Sequence, residues 1–253
     1  VIGMASNNLI GGTNRGEGNR IAGNGGNGVL IYSFSGLGGM EAINNSILGN
    51  SITENGSTGI RLADASDGGF APTTPEPYPN DVGDTDAITN HFMNFPVISS
   101  VTSTNGTATI TYDLDINDAE VGATGYRVEF FANDSADASG HGEGQTYLGS
   151  DTVSGDVTGQ QVTLTLPANV SGTKYISAVT TMTDNSTDGF GHSSEFAADV
   201  EANLEPAVVP IIPSILASTG GTIRLILLSA LILLAMGVIG LYIRNRSKSF
   251  LQK

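Results

Sequence analysis

Residues 18–31 read GNRIAGNGGNGVLI, and residues 49–62 repeat the pattern as GNSITENGSTGIRL at a constant offset of 31. Gly, Asn and Ile recur at matching positions, and both copies end on a short apolar run. Apolar runs separated by Asn and Gly at a fixed period are typical of a solenoid, in which every repeat adds one coil to a stack. Asn and Gly tolerate the left-handed backbone of tight corners, and stacked Asn side chains can bond from coil to coil. The sequence therefore predicts parallel β-solenoid coils over residues 1–65.

A longer motif begins upstream of the first copy: IGGT at residues 10–13 is followed by GxGNxIxGNxxxGVxI, which ends at Ile31. This motif resembles bacterial right-handed parallel β-helix repeat proteins of the cell surface, which belong broadly to the pectate-lyase-like superfamily. The resemblance covers about residues 1–65 and implies a fold rather than an activity. Solenoids generally need about three repeats or more, and the chain opens at Val1 without an export signal. We therefore expect a C-terminal fragment of a longer protein, with further coils upstream.

The next segment, residues 66–95, is expected to be a linker or a cap on the last coil. Four prolines between positions 72 and 79 make a central strand or helix unfavourable. Oxygen-bearing side chains then follow at close spacing, in a stretch that also resembles the segment after the β-helix in the same bacterial proteins. Because Ca²⁺ takes about six to eight oxygen ligands, these residues are candidate calcium ligands: Asp81, Asp84, Asp86 and Asn90. An acid-rich turn on an acidic surface explains the same residues without a metal.

Residues 96–201 alternate apolar and polar side chains in short runs that Gly, Asp and Asn separate. Such a pattern predicts about seven antiparallel strands and an immunoglobulin-like or fibronectin-like β-sandwich. The chain has no cysteine and no tryptophan, which excludes the antibody-type variant. The segment also resembles the C-terminal sandwich that follows such β-helices. The expected strands lie near residues 97–103, 107–116, 126–130, 146–153, 162–166, 174–182 and 194–200.

Residues 225–243 form an apolar stretch without a charged residue. As a helix it would span roughly 28 Å, close to the ~30 Å hydrocarbon core of a bilayer. The tail at residues 244–253 is basic and has no acidic residue, so it is expected on the cytoplasmic side, with everything before the helix outside. The proline-containing segment 202–224 is expected to be an extended stem. The sequence thus predicts one transmembrane helix after two β domains, in an otherwise all-β chain.

A short motif precedes the apolar stretch: Leu216, Ala217, Ser218, Thr219 and Gly220. Followed by the apolar stretch and the basic tail, it resembles the sorting signal of sortase-anchored cell-wall proteins, whose usual pentapeptide is Leu-Pro-x-Thr-Gly. Ala217 stands where that pattern has Pro. The resemblance implies that a sortase cuts between Thr219 and Gly220 and joins Thr219 to the cell wall. The alternative is a plain turn ahead of an ordinary membrane anchor.

The distribution of charge along the chain excludes some classes of binding partner. Five of the ten basic residues lie at position 224 or later and all 25 acidic residues lie before it, so residues 1–223 carry a net charge of −20. A strongly acidic surface repels phosphate backbones, which makes nucleic acid an unsuitable partner. The three histidines fall in separate predicted loops and form no catalytic motif, although a metal shared by His141 and His192 is conceivable.

These features predict a cell-surface protein, held by a single membrane span or attached to the cell wall after sorting. Its expected role is non-catalytic, as an adhesin-like stalk that binds polysaccharide or the surface of a host or partner cell. The alternative is a cell-attached polysaccharide lyase or glycoside hydrolase whose active site lies in upstream coils. Glu54 and Arg61 are the charged residues of the second repeat, and one such pair does not establish an active site.

Overall fold

The computed structural model describes residues 1–35, 40–64, 76–116 and 122–208, all within one compact unit, Val1–Val208. Its regular structure is all-β apart from the 3-10 turn Asn90–Phe92. The predicted transmembrane helix at 225–243, the basic tail at 244–253 and the motif Leu216 to Gly220 lie outside the described residues. Within the described ranges, no helix is long and apolar enough to cross a membrane.

The two sequence repeats fold into short strands that stack in parallel. One ladder has the order β1-β4-β7, and two further ladders pair β2 with β5 and β3 with β6. Within 18–31 and 49–62 the pairing follows the offset of 31 read from the sequence, as in Ile21↔Ile52. The strands are β1 Ile2–Gly3, β2 Leu9–Gly11, β3 Arg20–Ala22, β4 Val29–Ser33, β5 Ser46–Leu48, β6 Ser51–Thr53 and β7 Ile60–Asp64.

Asparagine side chains connect the stacked strands, as the sequence predicts. Asn50 Oδ1 accepts hydrogen bonds from the backbone N–H of Asn19 at 2.9 Å and from its Nδ2 at 3.0 Å. Asn55 does the same for Asn24, and Asn45 for Asn8. Asn45, Asn50 and Asn55 each accept a backbone N–H at a corner, outside the pairing of the strands. These bonds fix the stacking register at three separate corners.

The second half contains two antiparallel sheets that enclose a common hydrophobic core. The larger sheet has the order β11-β10-β13-β14, with β15 also paired to β13, and the smaller has the order β12-β9-β8. The predicted alternation on β9 is confirmed, since Ala108, Ile110, Tyr112 and Leu114 are all buried. The strands are β8 Val97–Thr104, β9 Thr107–Leu114, β10 Ala123–Asn133, β11 Thr146–Val153, β12 Val157–Thr165, β13 Gly172–Asp184, β14 Phe190–Ser193 and β15 Val200–Leu204.

One predicted strand is wrong. Residues 194–200 were expected to form a single strand, but β14 ends at Ser193 and β15 begins at Val200. Ser194 and Ala197 still donate backbone N–H groups to Thr180 and Ala178 of β13, while the side chains of Glu195 and Phe196 between them contact the stacked repeats, with exposed fractions of 2% and 3%. The regular strand is therefore interrupted where two side chains pack against another part of the molecule.

Candidate functional site

A continuous buried cluster joins the stacked repeats to the larger sheet of the second half. Phe131, Val179 and Phe196 from the second half belong to one apolar cluster with the inward side chains of the repeats. Phe196 packs edge-on against Phe131, with ring centroids 5.6 Å apart. The repeat side chains in this cluster are Val29, Ile31, Ala42, Ile47, Ile52, Ile60 and Leu62.

Backbone pairing also crosses this junction. Ile52 and Gly144 exchange two hydrogen bonds, with N–O distances of 2.9 Å and 2.8 Å, and so form an antiparallel bridge. Gly144 has no room for a side chain, because an added Cβ would lie 2.8 Å from the Phe196 ring. The repeats therefore gain a partner on a side where a free strand edge would otherwise leave polar groups unpaired.

Three glutamates of the second half accept backbone N–H groups from the repeats. Glu129 accepts from Gly49 at 2.8 Å, Glu143 from Asn55 at 3.1 Å, and Glu195 from Leu62 at 2.7 Å. Burial raises the pKa of all three carboxyls above the ordinary glutamate range, and it raises the pKa of Glu195 to about 7. These carboxylates are thus occupied at the junction rather than directed at a substrate. Sequence reasoning missed them, although Glu129 interrupts the apolar run of β10 and is a detectable signal.

The two charged residues of the second repeat have separate partners. Arg61 forms an ion pair with Glu76, and both side chains are largely shielded from solvent. Glu54 lies at the surface, where its carboxylate is 3.8 Å from the Arg20 guanidinium. Glu76 also accepts hydrogen bonds from Asn27 at 2.6 Å and Ser57 at 2.5 Å, so the Arg61 pair holds the segment after the last repeat in place. Glu54 and Arg61 are therefore engaged in different contacts.

The four candidate calcium ligands divide between two environments. Asn90 is fully buried in the junction, where its Oδ1 accepts from the Asn45 N–H at 3.0 Å and its Nδ2 donates to the Ser193 carbonyl at 3.0 Å. Burial and, to a lesser extent, the charge of Asp81 raise the pKa of Asp86. Asp84 Oδ1 accepts from the Asn94 N–H at 3.0 Å. Across the described ranges, no group of three or more His or carboxylate side chains is arranged to hold a metal ion.

The structure pairs His192 with His91 rather than with His141. The His91 and His192 rings stack with centroids 4.2 Å apart, and His192 Nδ1 accepts the backbone N–H of Asn44 at 3.0 Å. Burial, with the neighbouring His91, lowers the pKa of His192 to about 3, so its imidazole stays neutral. His141 lies elsewhere, with its Nδ1 3.0 Å from the Phe196 carbonyl oxygen. A metal shared by His141 and His192 is not supported by this arrangement.

A cleft of about 430 Å³ opens beside the junction. One wall is the glycine-rich loop that contains Asn14 and Arg15, and the other consists of side chains from β10 and β11. Arg127 connects two residues of the second wall: its Nε donates to Glu129 Oε1 at 2.9 Å and its Nη2 to the Tyr147 hydroxyl at 2.9 Å. The lining residues are Gly12, Thr13, Asn14, Arg15, Gly16, Gly18, Gly49, Arg127, Glu129 and Tyr147. Nothing in the sequence reasoning pointed to this cleft, because its two walls are more than a hundred positions apart in the chain.

Comparison with known proteins gives no relative on which to base a function. No protein-family model matches the sequence, and no curated protein matches it.

Proposed function

We propose that this chain is an extracellular cell-surface module without catalytic activity, which binds carbohydrate or a partner surface. In this proposal the stacked repeats belong to a right-handed parallel β-helix, and the second half is an immunoglobulin-like or fibronectin-like sandwich. The parallel ladders at an offset of 31 and the two antiparallel sheets around one core support these assignments. The resemblance to bacterial β-helix surface proteins supports the location.

The observation that supports the proposal is that buried ionisable groups form contacts that hold the fold together. Glu129, Glu143 and Glu195 all accept backbone N–H groups across the junction. Arg61 is held by Glu76. A lyase or hydrolase needs acid and base groups that face a substrate, and a hydrolase needs two carboxylates roughly 5–9.5 Å apart on either side of a bond. The described part of the chain uses these groups to join its two halves, which favours a binding role.

The membrane anchor is a second part of the proposal. The apolar stretch at 225–243 is long enough to span a bilayer, and the basic tail favours an outward-facing N-terminal part. Cleavage at Leu216 to Gly220 by a sortase would replace that span with a link to the cell wall. The mass of the mature C-terminus tests this: an end at Thr219 means sorting, and an end at Lys253 means a retained membrane anchor.

The binding role is tested with the full-length chain in detergent against polysaccharide arrays, with released reducing ends measured in parallel. We expect binding without release of sugar fragments, unchanged by Glu54→Gln or Arg61→Gln where the variant stays folded. Release of sugar fragments by the wild-type chain would reject the non-catalytic role and support the lyase or hydrolase alternative. Absence of binding to every polysaccharide and to intact cells would reject a binding role.

A further inference from the structure

The cleft beside the junction concentrates positive charge in an otherwise acidic part of the chain. Residues 1–223 carry a net charge of −20 and contain five basic residues, of which Arg15 and Arg127 line this one cleft. Basic side chains scattered over an acidic surface would instead be expected to pair with nearby carboxylates. Two guanidinium groups on opposite walls of one cleft indicate a place where a negatively charged group is accommodated.

Arg127 is held in a fixed orientation. Its Nε bonds Glu129, its Nη2 bonds the Tyr147 hydroxyl, and its side chain is only 18% exposed. Glu129 is in turn fixed by the N–H of Gly49, so the support comes from both halves of the molecule. A guanidinium positioned in this way loses little conformational entropy on binding and presents its remaining donors in a defined plane.

Glu129 compensates the charge of Arg127, so the uncompensated positive charge of the cleft comes from Arg15. It is exposed at the rim of the cleft, and it forms no ion pair with a described residue. The nearest acidic residue in its loop, Glu17, is instead held by the backbone N–H and Nδ2 of Asn14, both at 2.9 Å. Those hydrogen bonds lower the pKa of Glu17, which keeps it ionised and bound to Asn14.

The remaining lining fits a sugar ring. Tyr147 is 37% exposed and offers an aromatic wall, while the exposed glycines Gly16 and Gly18 on the opposite wall carry no side chain. Aromatic faces and planar polar side chains are the groups that bind the apolar face and the hydroxyls of a ring. The cleft volume of about 430 Å³ is within the ~300–1,000 Å³ of small-ligand sites. The lining glycines are Gly12, Gly16, Gly18 and Gly49.

We propose that this cleft binds a single carboxylated sugar, as a free acid or at the end of a glycan, with its carboxylate at Arg15 and Arg127 and its ring against Tyr147. Arg15 and Arg127 outnumber Glu129 among the lining side chains, and the ionised Glu17 lies beside Gly12 at the edge of the cleft, so the cleft suits a monoanion rather than a polyanion. The acidic surroundings disfavour polyphosphates and other polyanions. This inference deepens the proposed binding function and rests on it.

The test uses the full-length chain in detergent and titrates it with sodium glucuronate, glucose and sodium acetate at constant ionic strength. We expect glucuronate to bind at least about tenfold more tightly than either comparator, because only it combines the ring with the carboxylate. Added salt should weaken its binding, since the contact with Arg15 is exposed. Equal affinity for glucose would overturn the carboxylate assignment, and no binding of glucuronate would overturn the site.

Substitutions locate the site. Arg15→Gln should weaken glucuronate binding by about tenfold or more, whereas Arg20→Gln, an exposed arginine of the same repeat outside the cleft, should leave it unchanged. Tyr147→Ala should also weaken binding, and because Tyr147 lies at the surface this variant should remain folded. If glucuronate binds both cleft variants like the wild type, the site is elsewhere. Polysaccharide binding that persists in Arg15→Gln would reject the cleft assignment while leaving the broader binding function in place.

Discussion

Glu195 is a carboxyl whose buried environment disfavours the charged form that a glutamate takes in water. It accepts the N–H groups of Leu62 at 2.7 Å and Tyr78 at 2.6 Å, and burial raises its pKa to about 7 from an ordinary value of 4.5. Two donors and the nearby Arg61 favour the charged form, but the loss of water outweighs them. The carboxyl links two segments of the chain, and its raised pKa makes the free energy of unfolding depend on pH.

The pH dependence of stability follows from this pKa. Between about pH 4.5 and 7 the folded protein retains a proton on Glu195 that the unfolded chain has released, so the free energy of unfolding falls as pH rises and levels off above pH 7. The total loss is on the order of 3 kcal/mol. Urea unfolding across this range should show a shallower decline for Glu195→Gln than for the exposed control Glu41→Gln. Identical pH profiles in the two variants would contradict the assignment.

Gly18 shows how closely neighbouring repeats approach. A Cβ added there would lie 2.0 Å from the carbonyl oxygen of Gly49, and that oxygen belongs to backbone that cannot move without disturbing the ladder. We expect Gly18→Ala to destabilise the protein by about 1–3 kcal/mol through this overlap. Gly25→Ala is the matched control, because nothing lies within 4 Å of its added Cβ, and it should change stability by less than about 1 kcal/mol. Chemical denaturation of both variants measures the difference, and equal losses would show that the stacking is looser.

The calcium hypothesis has a direct measurement at this scale. The Oδ1 atom of Asp81 is buried and has no hydrogen-bond partner among the described residues. The charge of Asp81 also contributes to the raised pKa of Asp86. If these carboxylates bind a cation, calcium raises the unfolding temperature and a chelator reverses the rise, although no group of three or more His or carboxylate side chains in the described ranges is arranged to hold a metal. Asp86→Asn should abolish the effect. An unfolding temperature that neither calcium nor chelator changes would remove the hypothesis.

At the scale of the element, the asparagine ladder supplements the backbone pairing of the stacked strands. Asn50 is 3% exposed and makes three hydrogen bonds to the repeat before it, two through Oδ1 to Asn19 and one through Nδ2 to the Ile10 carbonyl at 2.9 Å. Asn50→Ala leaves these groups unsatisfied and should cost about 2–4 kcal/mol. Asn24→Ala removes an exposed donor and should cost less than about 1 kcal/mol. Equal costs in equilibrium unfolding would show that solvent replaces the buried bonds.

Periodicity explains which elements the sequence could predict. The repeat offset of 31 and the alternation on β9 are local patterns that report which side chains face inward, and both agree with the structure. The segment at 194–200 resembled a strand by the same criterion, but its apolar and acidic side chains bind the repeats. Local sequence patterns indicate that a residue is buried, but they do not indicate which part of the molecule it packs against. The junction glutamates and the cleft were missed because they depend on contacts between distant segments.

At the scale of the molecule, the junction should make the described β structure unfold as one unit. The buried cluster and the Ile52–Gly144 bridge connect the ladders to the larger sheet, so opening either half exposes part of the other. Amide hydrogen exchange on the full-length chain should therefore give the same opening free energy for Ile52 in β6 and Val128 in β10. The larger sheet contributes Val128 and Phe130 to one apolar cluster and Phe131 and Val179 to the other, so the two clusters are expected to open together.

Phe196→Ala should break that coupling. Its ring is 3% exposed between Gly59, Gly144 and Phe131, so truncation leaves a cavity at the junction and should cost about 3–5 kcal/mol. Because the lost contacts lie between the halves, the opening free energy at Ile52 should fall further than at Val128, whose core is retained. Val97→Ala, at a side chain 53% exposed, should leave both values unchanged. A uniform fall at both amides would instead mean that the two halves still unfold as one unit, held by the glutamate hydrogen bonds and the Ile52–Gly144 bridge.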